Sequence, residues 1–472
     1  MLSVKTICIY AAILIGTPLF SQNIYLKAKS PQLISPFDKF LSQIWQDEKI
    51  EPANEASDCV MVRRLYIDLL GRVPAPHEAL QYTESKDKDK QIKLVKKLLA
   101  AEEHAMFMTM RYGDELRIKS EFPINLWPNA AFLYTRTIFE ALKNNMPYDK
   151  FAACMILSDG SNFREGYANF FRAIPQKNAE TAADAAAKFL LGKPLDDLSF
   201  FKRRKFLNTF EGIRFKNTRE WKEEIVYFVG EDTRRAFLDE IIKDEDFSRN
   251  AVKRAWRWIF GTANADPQII DYLAVRFKEN KYDLKALLQE ICTSAAYRTG
   301  SICDGDYQKK AYFGAIYPVR RLDAEVLADS IAQITDITTT YSSVIPEPFS
   351  YYKGRAAALP DGSVTDQFLL IFGRPSRDSG AIEERKSIIT PEQRLYLFNS
   401  SKLNNQLYNI LRKKIRKEKD KLTALYMLFY SRKPTPQEIK TFREMNKKVK
   451  GGRLLNRMPW VLLNSGEFLF QH

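Results

Sequence analysis

The sequence predicts a mainly α-helical protein, multi-helix with repeated helix–turn–helix units, one long irregular region and little β structure. Three observations carry this. Apolar residues recur at helical spacing, as in Leu94, Leu98 and Leu99 with lysines between them, and in Leu403, Leu407, Ile410, Leu411, Ile415 and Leu422. Strand-like runs are few, Glu224–Gly230 (EIVYFVG) being the best. A stretch near the N-terminus recurs near the C-terminus. The 472 residues suffice for two or three domains. Apolar residues at 45% exclude a disordered chain, and 28% charged residues with a mean hydropathy of -0.35 exclude a polytopic membrane protein.

At the N-terminus, Lys5 precedes an apolar run from Ile7 to Gly16 and then Thr17-Pro18-Leu19-Phe20-Ser21. A charged start, a short apolar core and a small residue before cleavage predict a signal peptide over 1–21 and an exported protein, in the periplasm or at the cell surface of a Gram-negative-type bacterium. Beyond Cys8, the cysteines are Cys59, Cys154, Cys292 and Cys303. In an oxidising compartment a Cys292–Cys303 bridge is the most local pairing, while apolar helical surroundings predict buried free thiols at Cys59, Cys154 and Cys292. There is no Cys-x-x-Cys, and with only 3 histidines no metal site or cofactor is expected. His77 is expected at an exposed helix start and His104 at a helix end.

The repeat aligns residues 65–78, LYIDLLGRVPAPHE, with 425–438, LYMLFYSRKPTPQE, six of the 14 positions matching. Pro74 and Pro434 stop one helix. Pro76 and Pro436 open the next, where a missing N–H costs nothing. Glu78 and Glu438 fall at N3, and Thr435 completes a capping box. Arg72 and Arg432 lie in the turns. The motifs LLAAEEH (98–104) and LLNSGEF (462–468) follow the second helices, and a weaker middle copy runs from Trp256–Gly261 to Ile291–Tyr297. These shared residues are caps and core positions. The expected organisation is a first helical domain over 22–215 and a second over 216–472, the second holding the irregular region 341–390 and basic C-terminal helices.

Phrases along nearly the whole chain resemble a family of exported proteins abundant in Planctomycetes, Verrucomicrobia and Lentisphaerae, catalogued as paired domains of unknown function, the first named planctomycete cytochrome-associated. They are RRLYIDLLGRVP (63–74), NMPYDKF (145–151), AWRWIFG (255–261), RRLDAE (320–325), FGRPSR (372–377) and LLNSGEF (462–468). The resemblance implies no established activity. Many members carry Cys-x-x-Cys-His after a Phe-Leu-Gly phrase, whereas Phe189-Leu190-Leu191-Gly192 here leads into Lys193-Pro194-Leu195-Asp196-Asp197. Covalent haem attachment needs two thiols and an axial histidine, so no haem is expected.

Two places could carry binding chemistry. The irregular region gathers Arg355, Asp361, Arg374, Arg377, Asp378, Glu383, Glu384 and Arg385 among glycines. Arginines there could clamp a carboxylate or sulfate, and paired acids could exchange protons; an ion-pair network pinning a long connection is the alternative. Between Lys402 and Arg457, 17 Lys/Arg face 4 Asp/Glu, in a chain of net charge +15. Lys413, Arg416, Lys417 and Lys419 are expected on the solvent side of a helix whose seam, Leu411, Ile415 and Leu422, packs inward; they could hold an acidic polysaccharide or an envelope surface. Nucleic acid is not expected as a partner, nor is membrane integration; an envelope protein partner is possible chemistry for such a chain. Three functions remain open: a non-catalytic envelope binding or scaffold protein, a hydrolase or lyase acting on acidic polysaccharide, and an accessory partner of a cytochrome.

Overall fold

Helices make up 59% of the protein and strands 6% in the computed structural model, which describes residues 24–345, 351–449 and 454–472. The segment 1–21 lies outside the described residues. The strands form small antiparallel pieces: Glu224–Phe228 between Gly160–Ser161 and Ile213–Asn217, Arg320–Arg321 with Phe470–Gln471, and Thr339–Ser342 with Tyr351–Gly354.

Helix α1 (Asp58–Leu70) is buried along nearly all its length, and its polar residues explain how that is tolerated. Arg63 donates to the Phe429 and Phe468 carbonyls at 2.8 and 3.0 Å. Arg64 donates to the carbonyls of Tyr297, Thr299 and His472 and lies 3.7 Å from the Tyr317 ring centre. The Asp68 carboxylate accepts from the hydroxyls of Tyr297 and Tyr317 at 2.9 and 3.0 Å and pairs with Arg320. Buried polar groups must be bonded or cost several kcal/mol, roughly, when charged. One helix thus ties the N-terminal, middle and C-terminal copies together, and a single apolar core runs from Phe37 to Phe468.

The repeat is the same object three times. Helix α1 ends on Gly71, helix α2 (Glu245–Phe260) on Gly261 and helix α3 (Lys421–Tyr430) on Ser431, all left-handed, with φ of 66°, 75° and 60°. A helix end leaves carbonyls without intrahelical partners. In each copy the carbonyl two residues before the left-handed one accepts from a distant side chain: Leu69 from His104 Nδ1 (2.9 Å), Ile259 from Tyr317 Oη (3.1 Å), Phe429 from Arg63 Nη1 (2.8 Å). Different residues do one job, so the similarity is greater in space than in sequence. In the outer copies the next helices, Pro76–Thr83 and Pro436–Lys448, begin at the second proline. Glu78 and Glu438 accept from the Ala75 and Thr435 amides at 2.7 and 2.6 Å.

Three local expectations change. His104 stands in the first turn of helix α4 (Glu102–Glu115) and is buried, because LLAAEEH is a break between two helices at the extended Ala101. The basic run does not continue a regular helix: Ile410–Lys414 is a π-turn, after which the chain leaves helical geometry until Lys421. Leu411 and Ile415 are still buried. Of the four described cysteines, all unpaired, Cys292 is buried whereas Cys59 and Cys154 are half-buried.

Candidate functional site

The irregular region folds back across the end of helix α4. Gly380 makes the approach possible: at φ 72°, a Cβ there would stand 2.6 Å from the Glu115 carbonyl oxygen. Between this loop, α4, α2 and the Arg320–Asp323 segment lies a cavity of about 350 Å³, within the lower range for small-ligand sites. Its walls carry Arg111, Arg257, Arg320, Arg321 and Arg385 against Asp114, Glu115, Asp323 and Glu383.

Most of these charges are already committed. Arg385 reaches Glu325 at 2.7 Å and Asp114 at 2.6 Å. Arg320 donates to the Trp258 carbonyl and to Gln471 besides pairing with Asp68. Arg321 holds the Phe372 and Lys386 carbonyls at 2.8 and 2.6 Å. Glu115 is held by Arg254 at 2.7 Å. Burial pushes the Asp114 and Asp323 carboxyls up, but Arg385 with Arg377 at the first, and Arg385 with Arg111 at the second, outweigh it and hold both below the ordinary carboxylate value. They are therefore anions, suited to accepting hydrogen bonds and not to donating protons.

Two guanidiniums are different. The Arg257 guanidinium lines the cavity and makes no hydrogen bond or ion pair with a described residue. Burial lowers its pKa, with Glu115 acting against that. Arg111 lies over the Phe107 ring at 4.6 Å and its nearest anion, Asp323, is 3.6 Å away. Its Nε is buried with no partner. Guanidinium donors left unmatched at a half-dry surface are costly, and an anion entering the cavity would satisfy those of Arg257.

The loop residues singled out from sequence divide between cavity and scaffold. Glu383 and Arg385 line the cavity. Arg374 is buried and donates to the Val364 and Asp361 carbonyls, with Glu325 3.4 Å from its Nε. Arg377 is buried too, bonded to Asp114 at 2.9 Å and to the Ile118 and Met110 carbonyls. Asp361 accepts from the Ser120 and Ser363 amides. Arg355 binds Asp329 and the Leu70 carbonyl, away from the cavity. Asp378 pairs with Lys119 at 2.6 Å, and Glu384 caps the turn at Asp378 and Ser379.

Sequence reasoning missed Arg111, Asp114, Glu115 and Arg257 because they sit on helices. The signal available was spacing: i, i+3 and i+4 put the first three on one face of α4, and Arg257 interrupts the apolar AWRWIF run. Among the described residues no group of three or more His, Cys, Asp or Glu could hold a metal ion. No helix there is long and apolar enough to cross a membrane.

No curated protein and no solved structure matches the chain. Two family models do, both described as proteins of unknown function, and they leave the cavity between segments of both: Arg111 and Asp114 in the first, Arg257, Asp323 and Arg385 in the second. The chain carries the paired domains of unknown function DUF1549 (PSCyt2), over residues 36–197, and DUF1553 (PSD1), over residues 234–446.

Proposed function

We propose that this is an exported, non-catalytic binding protein of the cell envelope, whose cavity takes a carboxylate or sulfate group of an acidic glycan. The observation that carries the reading is Arg257, a guanidinium on the cavity wall with no partner among the described residues, beside the incompletely bonded Arg111. Asp114 and Asp323, held as anions, are placed to accept hydroxyl hydrogens from the sugar. Hydrolysis by the usual route needs two carboxyl groups, one kept protonated. Asp114 and Asp323 are biased the opposite way, which favours binding over cleavage.

Calorimetric titration with uronic-acid and sulfated oligosaccharides, against neutral ones of equal length, tests this. Binding of the charged sugars alone is expected, with no cleavage products on prolonged incubation. Arg257→Gln should weaken it at least about tenfold, as loss of a charge-assisted bond implies, and Glu383→Gln should not. Equal binding of neutral sugars, or an unaffected Arg257→Gln, would overturn the reading.

A further inference from the structure

A second surface, outside the cavity, combines exposed cations with exposed apolar side chains. Between residues 386 and 419 the sequence holds nine Lys/Arg and two Asp/Glu. Lys414 is bound to Asp336 at 2.6 Å. The other eight, including Arg394, Arg412, Lys413, Arg416, Lys417 and Lys419, are exposed and form no ion pair with a described residue. Interleaved with them are exposed apolar side chains: Ile388 at 71%, Leu395 at 58%, Phe398 at 49% and Tyr408 at 51%.

The arrangement is built, not frayed. Gln393, buried under helix Pro391–Asn399, donates to both the Ile371 and Ile388 carbonyls at 3.1 Å and so fixes the start of that helix against the core. Arg394, Leu395 and Phe398 then fall on its outward side. The Phe398 ring meets Trp460 at 5.4 Å, and Arg412 stands over the exposed Tyr408 ring at 5.8 Å.

We propose that residues 386–419 form a peripheral docking face for an anionic lipid bilayer. Cations alone would suit a soluble polyanion, which gains nothing from exposed isoleucine, leucine and phenylalanine. A bilayer satisfies both halves: headgroup phosphates take the cations, and the interfacial region takes the apolar and aromatic rings. The comparison with Phe200 and Phe201 sharpens the choice. They are exposed further, at 71% and 82%, but Lys202, Arg203 and Lys205 beside them are paired with Asp244, Asp196 and Glu240, leaving little charge for headgroups.

Co-sedimentation of the full chain with vesicles of phosphatidylcholine alone, or mixed with phosphatidylglycerol, tests the proposal. Binding is expected only to the mixed vesicles. Replacing Lys413, Arg416, Lys417 and Lys419 by glutamine should weaken it about tenfold or more. Leu395→Ser with Phe398→Ser should also weaken vesicle binding, yet leave retention on a sulfated polysaccharide matrix unchanged. All six positions are exposed, so melting temperatures should stay close to that of the parent, and the parent chain's own vesicle preference decides the matter if one variant fails to fold. No binding to mixed vesicles, or full binding by the Leu395/Phe398 variant, would overturn the proposal, the second outcome reducing the surface to a face for soluble polyanions.

Discussion

Arg432 stands to its turn as Arg72 stands to its own, at opposite ends of the chain. Arg72 bonds Glu78 and Glu103 at 2.8 Å each and its following carbonyl, Val73, at 3.2 Å. Arg432 bonds Glu438 and Glu467 at 2.8 and 2.6 Å and its following carbonyl, Lys433, at 3.2 Å. Each guanidinium joins the start of one helix to the start of a later one, across the proline-bearing turn. In the middle copy the matching positions are Thr262 and Ala296, so the arginine and its glutamate are missing together.

The two hubs differ in burial, which sets their worth. The Arg432 side chain is 6% exposed and its partner Glu467 13%, against 16% for Arg72 and 39% for Glu103. Arg432→Ala strands two partly buried carboxylates and should cost about 3–5 kcal/mol. Arg72→Ala should cost about half that, since water reaches Glu103. Denaturant unfolding of the two variants measures the difference; a larger loss from Arg72→Ala would contradict this account. Glu78 and Glu438 are held below their ordinary value: burial pushes them up, and their arginines outweigh it. This contribution is therefore present above about pH 4.5 and is lost as pH falls through the folded-state values.

Ser431 and Gly71 occupy the same left-handed position with opposite consequences for substitution. At Gly71 a Cβ would meet the Phe107 ring at 2.5 Å, so Gly71→Ala should cost about 2 kcal/mol or more. Ser431 already carries a Cβ at φ 60°, and its buried hydroxyl has no partner among the described residues. Ser431→Gly should stabilise by about 0.5–1 kcal/mol. Thermal melts suffice, and a destabilised Ser431→Gly would show that its side chain contributes something its geometry does not reveal.

Helical class and the outer repeats were legible because they rest on local signals: apolar period, paired prolines and a glutamate at N3. The third-copy equivalence was fainter, since Tyr317, His104 and Arg63 fill one role from unrelated sequence positions. The irregular region was recognisable as an arginine-rich connection. Which arginine is spent on carbonyls and which faces a cavity depends on the folding of that loop against α4, a contact between residues far apart in the chain. Glu383 and Arg385 share the cavity with Arg257 for that reason alone, and no spacing rule expresses it.

His104 should make folding stability depend on pH. Burial pushes its imidazole down to about 4, despite the bond its Nδ1–H donates to the Leu69 carbonyl. The native state therefore keeps it neutral, while the unfolded chain protonates it near 6.5. Stability is full above about pH 6.5 and falls by about 3 kcal/mol as pH drops to 4. His472, buried and pushed down to about 3, adds a step of the same sign. Melting temperature against pH should flatten in part for His104→Phe. An unchanged slope would mean that His104 is protonated in the native protein.

The haem question has a direct readout. No Cys-x-x-Cys-His occurs, and the segment after Phe189 is taken up otherwise: Gly192 turns at φ 68°, and Lys193 pairs with Asp246 at 2.6 Å. Protein matured in a haem-attaching host should show no Soret band, and a covalent haem spectrum would refute the expectation.

Arg377 and Asp378 are neighbours that should behave unlike each other. The Arg377 side chain is 1% exposed and links the loop to Asp114, to the Met110 carbonyl within α4 and to the Ile118 carbonyl just beyond it. Its loss leaves the Ile118 carbonyl with the Gly362 amide as its remaining donor and removes one of the two guanidiniums that neutralise Asp114. Arg377→Ala should therefore cost about 3 kcal/mol and open the 375–387 segment to protease before the rest of the chain unfolds. Asp378 is 42% exposed and pairs with Lys119, whose side chain is 12% exposed, so the pair is half in water and its loss should cost about 1 kcal/mol. Asp378→Ala should therefore cost clearly less than Arg377→Ala and leave the cleavage pattern nearly unchanged. Because Arg377 does not line the cavity, its effect on anion binding should follow the loop's opening. At temperatures where the Arg377→Ala loop remains protected, affinity for the charged oligosaccharides should match that of the parent protein, whereas Arg257→Gln should be weakened at every temperature.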